Sequence, residues 1–289
     1  MSRPILEVRG LTMRFGGLLA VNEVALTVHD KQVVSMIGPN GAGKTTVFNC
    51  LTGFYQPTAG EILLDGTPIH GLPGHKIARQ GVVRTFQNVR LFKDMTAVEN
   101  LLVAQHRHLN TNFLAGLLKT PAFRQSEREA MDFAAHWLEQ VNLTDIANRT
   151  AGTLAYGQQR RLEIARCMMT RPRILMLDEP AAGLNPKETE DLKALIALLR
   201  DEHGVTVLLI EHDMKLVMSI AHRLVVLNFG QKIAEGTPDE IQKNPAVIAA
   251  YLGTSDDDPV AAEAAAAGGP TPMDTTPTGN LDEPEGETR

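Results

Sequence analysis

Little in this chain can cross-link it, bind a metal through sulfur or anchor it in lipid. Its 289 residues include two cysteines, Cys50 and Cys167. A thiolate metal site would need more ligands, and both residues lie in helix-compatible stretches among apolar neighbours. They read as small buried hydrophobes in a reducing compartment. No apolar run approaches the roughly 18 residues that a membrane-spanning helix needs. Met1-Ser2-Arg3-Pro4 leads straight into the strand-like Ile5-Leu6-Glu7-Val8, without the apolar block and small-residue cleavage site of a signal peptide. The chain is therefore expected to stay in the cytoplasm. An excess of positive charge is missing too: the formal net charge is −6. Residues 255–289 hold nine acidic side chains against one arginine, a net of −8, which leaves about +2 for residues 1–254. Such a nearly neutral body lacks the concentrated basic surface of a nucleic-acid binder. Val260 and Leu281 are the only large aliphatic residues of the acidic stretch. It cannot bury enough apolar surface to fold, so residues 254–289 are read as a disordered tail rich in Ala, Pro, Thr and acid.

What the chain does have is glycine in one telling arrangement. Gly38-Pro39-Asn40-Gly41-Ala42-Gly43-Lys44-Thr45 fits the phosphate-cradling pattern of glycine, four residues, then Gly-Lys-Ser/Thr. The apolar run Val33-Val34-Ser35-Met36-Ile37 before it reads as a buried parallel strand, and a helix-compatible run follows from Lys44 to about Thr52. In that context the glycines let backbone N–H groups wrap a phosphate, and the helix N-terminus adds a partial positive charge. Lys44 would reach the β- and γ-phosphates of a nucleotide, and the Thr45 hydroxyl would sit on a magnesium ion.

Elsewhere the pattern alternates. Leu19, Val21, Val24, Leu26 and Val28 suggest an antiparallel layer with one wet face, and residues 57–70 read as turn, strand, turn. From about Asn100 to Thr150 helical periodicity takes over (Phe133, Trp137, Leu138, Val141), which predicts an inserted helical lobe, about residues 95–170. Within it, residues 112–121 are apolar and end at Pro121; they either pack on their own lobe or dock a partner. A helix after Gly157, strands at 173–177 and 205–210, intervening helices and a hairpin-like pair at 223–234 complete an α/β pattern. That pattern predicts a mostly parallel core sheet, with ligands beyond the strands' carboxyl ends. Asp178 and Glu179 stand at one such end, suited to a hard cation and to a general base. His212 stands at the next.

Taken together, the phosphate loop, Arg84-Thr85-Phe86-Gln87, Leu154-Ala155-Tyr156-Gly157-Gln158, Leu177-Asp178-Glu179 and Ile210-Glu211-His212-Asp213 resemble the ATP-binding subunits of ABC transporters in order and spacing. The resemblance covers residues 4–253 and implies a P-loop ATPase cassette that binds ATP and Mg2+. It implies that Phe15 stacks on adenine and that residues 38–46, through Thr46, hold the phosphates. Gln87 would sense magnesium together with Thr45 and Asp178. Glu179 would be the catalytic base, with His212 and Lys44 at the γ-phosphate. Leu154, Ala155, Tyr156, Gly157 and Gln158 would contact ATP bound by an opposite subunit.

The resemblance is more particular than that. Residues 154–167, 84–92, 181–188 and the ending Ala250-Tyr251-Leu252-Gly253 are similar to the ATP-binding subunits of branched-chain amino-acid importers. This implies a second ATPase subunit, two permeases and an extracytoplasmic solute-binding protein, with membrane contact only through the permeases. Urea or amide import, lipopolysaccharide extraction and a soluble cassette acting on nucleic acid are the alternatives. Three residues depart from the common pattern: Ala155 replaces a serine, Tyr156 a glycine and Asn185 an aspartate. The missing hydroxyl and the bulky residue in a glycine position put the opposite subunit's site in doubt. An asymmetric heterodimer is expected for that reason.

Overall fold

A computed structural model describes residues 3–105 and 120–252. Residues 112–119 of the apolar patch and the acidic tail lie outside them.

Two sheets stack on one another's flanks. The antiparallel sheet has the order β2-β1-β4-β5, built from β1 (Pro4–Phe15), β2 (Leu18–His29), β4 (Ala59–Leu64) and the two-residue β5 (Thr67–Pro68). The second sheet has the order β10-β9-β3-β8-β7-β6. Its members are β3 (Val33–Ile37), β6 (Val82–Arg84), β7 (Ile174–Asp178), β8 (Thr206–Ile210), β9 (Arg223–Asn228) and β10 (Gln231–Gly236). All neighbours in it are parallel except the β9–β10 hairpin.

Every residue of β3, β7 and β8 is buried, because both faces of the parallel sheet are covered. The pleat sends alternate side chains to two cores. Val34, Met36, Ile174, Met176, Leu208 and Ile210 face the antiparallel sheet and helix α1 (Lys44–Leu51). Val33, Leu175, Leu177, Val207 and Leu209 face the remaining large helices. Those are α3 (Ala97–Gln105), α4 (Pro121–Gln140), α5 (Tyr156–Met168) and α6 (Pro186–Asp201). Short helices α2 (Gly74–Arg79), α7 (Met214–Ile220), α8 (Pro238–Gln242) and α9 (Pro245–Leu252) fill the edges.

Helices α3 and α4 occupy the stretch where periodicity predicts a helical lobe. Thr120 caps α4, its hydroxyl accepting from Phe123 N at 3.3 Å, and Pro121 opens the helix. Segments on either side of these helices meet at a Thr96–Thr150 bridge, where Ala97 N donates to Arg149 O at 3.0 Å and Ala151 N to Met95 O at 2.8 Å. Their apolar side chains, Trp137 and Leu138 among them, run without a break into the sheet-facing core around Leu175 and Leu177.

Candidate active site

The phosphate loop leaves the carboxyl end of β3, between β8 and β9. At Gly38 (φ 146°) a side chain would overlap the Leu227 carbonyl, and at Gly43 (φ 97°) a Cβ would lie 2.7 Å from Ala20 O. Both obstacles are backbone, so only glycine fits. The β9–β10 turn fastens the loop: Gly230 N donates to Ala42 O at 3.1 Å and Asn22 N to Gly230 O at 2.8 Å. Asn40, Gly41 and Thr45 are exposed along the loop, and Thr46 is half-buried. The buried Nζ of Lys44, expected to reach nucleotide phosphates, donates to Gly38 O at 2.6 Å and Pro39 O at 2.9 Å and so lies along the phosphate loop. Phe15, at the end of β1, presents a face that is 39% exposed and is braced edge-on by Tyr55 at 5.1 Å.

Three loops converge at the ends of β6, β7 and β8. Gln87 Nε2 donates to Glu179 Oε2 at 2.8 Å, and His212 Nδ1 stands 3.7 Å from Glu179 Oε1. The carboxylate is thus flanked by an amide on one oxygen and an imidazole on the other. Glu179 also sits at φ 46°, a left-handed conformation that costs a non-glycine residue about 1–3 kcal/mol. Its amide donates to Ile210 O at 3.0 Å, which ties the strained turn to β8. A carboxylate held this way can accept a proton from a water beside it. Asp178, one residue earlier, is buried and ion-paired with Arg84. That guanidinium also donates to Asn49 Oδ1 on α1 at 2.6 Å and lies over the Phe48 and Phe86 rings.

Residues 154–158 are built onto the loop before α6. The Tyr156 ring packs on Gly183, where an added Cβ would lie 3.3 Å from it, and Gly157 abuts the Glu188 carboxylate. Tyr156 is the first residue of α5 and has no positive φ, so the position does not demand glycine and the expected backbone penalty is absent. Ala155 N donates to Gln158 Oε1 at 3.1 Å, one half of a capping box; alanine has no oxygen to supply the other half. Leu154 is buried, and its carbonyl accepts from Gln159 Nε2 at 2.8 Å. Asn185 and Glu188 form a complete capping box for α6, with both bonds at 3.0 Å. Asparagine here does a capping job for which aspartate is no better.

The sequence alone gives no role to several residues in the site and behind it. Glu211, 1% exposed, accepts from Ala181 N at 2.7 Å and His212 N at 3.2 Å. It knits the loop after β7 to the loop after β8, and burial raises its pKa above the ordinary carboxylate range. Tyr55, Arg84 and the buried Arg160–Glu163 pair were equally silent. Arg84, Arg160, Glu163 and Glu211 stand inside the motif segments, but the contacts that give them a role join distant parts of the chain.

The fold and this arrangement of loops define an ATP-binding cassette. A family model for ABC transporters matches residues 21–182, and one for branched-chain amino acid ATP-binding cassette transporters matches residues 231–257. The solved ADP conformation of MJ1267, an ATP-binding cassette of an ABC transporter, is similar, with a TM-score of 0.76 and 32% identity over 88% of this chain and 100% of that one. The chain belongs to the ABC transporter family. Within that family it groups with the high-affinity branched-chain amino acid transport ATP-binding proteins. It is 83% identical to BraF of Pseudomonas aeruginosa and 66% identical to LivG of Escherichia coli, each over 88% of this chain and 99% of the relative.

Proposed function

We propose that this chain is the ATP-hydrolysing subunit of an importer for leucine, isoleucine and valine. The observation that carries the catalytic part is the Glu179 carboxylate, held between Gln87 and His212 at the strand ends. The 83% identity to a branched-chain amino acid transport ATP-binding protein supports the cargo. A lipopolysaccharide export ATP-binding protein of Haemophilus influenzae is 32% identical, which makes that alternative the weaker one.

Backbone N–H groups of residues 38–46 cradle the phosphates, and Lys44 exchanges its loop carbonyls for phosphate oxygens. Phe15 offers its braced face to adenine. Glu179 takes the proton of the attacking water, and His212 steadies the charge that develops at the γ-phosphate. Thr45, Gln87 and Asp178 are oxygen donors of the kind a hard cation prefers. Among the described residues no group of three or more His, Cys, Asp or Glu is placed to hold a metal. Mg2+ held there with the nucleotide would neutralise charge on the phosphate oxygens.

Residues 154–158 face the nucleotide of a companion ATPase subunit. Ala155 removes a hydroxyl whose bond to a phosphate contributes about 1.5–3 kcal/mol, which favours a heterodimer with unequal sites. Two permeases dock near residues 87–93, where Phe92 is 47% exposed, and a solute-binding protein delivers the amino acid outside. The permeases provide the membrane contact, in keeping with a chain in which no helix among the described residues is long and apolar enough to cross a membrane.

The test is reconstitution with the companion subunit and permeases. Glu179→Gln should bind ATP and lose at least about 100-fold of its turnover and of its leucine uptake. Undiminished hydrolysis in that variant would reject the assigned base, and wild-type uptake indifferent to branched-chain amino acids would reject the cargo.

A further inference from the structure

Arg160 sits in the second turn of α5, 2% exposed. Its Nη1 donates to Phe86 O at 2.7 Å and to Glu163 Oε2 at 3.2 Å. Its Nη2 donates to Gln87 O at 2.5 Å and to Glu179 O at 3.2 Å. Glu163, itself buried, uses its other oxygen to accept the Arg90 N–H at 3.0 Å. The guanidinium therefore grips three main-chain carbonyls on two loops, and those loops carry Gln87 and the candidate catalytic carboxylate of Glu179, which meet at 2.8 Å. Its backbone belongs to the helix that opens with Tyr156, whose ring lies 5.7 Å from the same guanidinium. Only the planar fork of arginine spans so many acceptors; the point charge of lysine cannot.

We propose that Arg160 is a positioning residue that transmits the state of the Gln87–Glu179 pair to residues 154–158, and so sets how tightly that segment closes on nucleotide held by the companion subunit. This rests on the two-subunit reading above. When Gln87 and Glu179 shift with the nucleotide at this chain's own phosphate loop, their carbonyls carry Arg160 along, and α5 moves as a rigid rod with its N-terminal turn. The two composite sites are coupled through one buried side chain.

Photolabelling by 8-azido-ATP in the reconstituted complex, read separately on each subunit, tests the coupling. In Arg160→Lys the half-saturating concentration for labelling the companion should rise about tenfold, while labelling of this chain stays within about twofold. A purely structural arginine would move both subunits together, and that result, or no change in either, overturns the proposal. Glu163→Gln leaves Arg160 in its pocket with one anchor weakened; it should show the same asymmetry to a smaller degree, and it decides the matter if Arg160→Lys fails to fold. Should the wild-type complex label on neither subunit, the proposed function falls, and this inference with it.

Discussion

At Phe229 the side chain and the backbone make opposite demands. Phe229 and Gly230 form the two-residue turn between β9 and β10, with φ values of 44° and 76°. Both positions of such a turn need the left-handed region, which suits asparagine followed by glycine. Phenylalanine gains nothing in return, since its side chain is 84% exposed. Phe229→Asn should stabilise the protein by about 1 kcal/mol and raise the melting temperature by about 2–4 °C. A lower melting temperature would show that the ring makes a contact worth more than the strain. The turn matters because its glycine amide holds Ala42 of the phosphate loop. The sequence reads as a hairpin-like pair over 223–234, but the demand for positive φ at Phe229 comes from the register of the hairpin.

Among the elements, α6 shows how a departure from a common motif can be harmless. Asn185 and Glu188 exchange reciprocal bonds at its N-terminus. Asparagine and aspartate cap with similar strength. Urea unfolding should therefore place Asn185→Asp within about 0.5 kcal/mol of wild type and Asn185→Ala about 1 kcal/mol below it. Equal losses in both would mean that the carboxamide has a role beyond capping. Much of this scale was legible in advance. Strands β3, β7 and β8 are unbroken apolar runs because they are covered on both faces. By contrast, β5 has two residues and β6 three, too few for any periodicity to register. The strand ends bearing Asp178, Glu179 and His212 followed from the readable strands. The buried ties among them did not: Arg84 to Asp178, Glu211 to Ala181 and Arg160 to Gln87 join residues far apart in sequence through contacts that only the fold creates.

For the molecule as a whole, the two cores fix the chemistry of its thiols. Burial pushes the Cys50 thiol up to about 11 and the Cys167 thiol up to about 12, from an ordinary 9.0. A raised folded-state pKa gives a stability contribution that is whole below the unfolded value and drains away as pH climbs through the folded one. Both cysteines should thus be silent toward a thiol reagent at pH 8 in the native protein and react fully in urea, and stability should fall as pH rises above about 9. A thiol that reacts at once in the native state would contradict the packing around α1 or α5.

The sheet order has a consequence for how the molecule is made. Strand β3, which carries the phosphate loop, pairs with residues of β8 and β9, and both are encoded far downstream. On the ribosome, β3 emerges early and then waits for its neighbours for about 10–40 s at ordinary elongation rates. During that interval Val33 to Ile37 is an exposed sticky segment without a nucleotide pocket behind it. A phosphate loop that still lacks the strands on either side of it offers nucleotide no finished pocket, so ATP should begin to stabilise the growing chain only after β8 and β9 have been made.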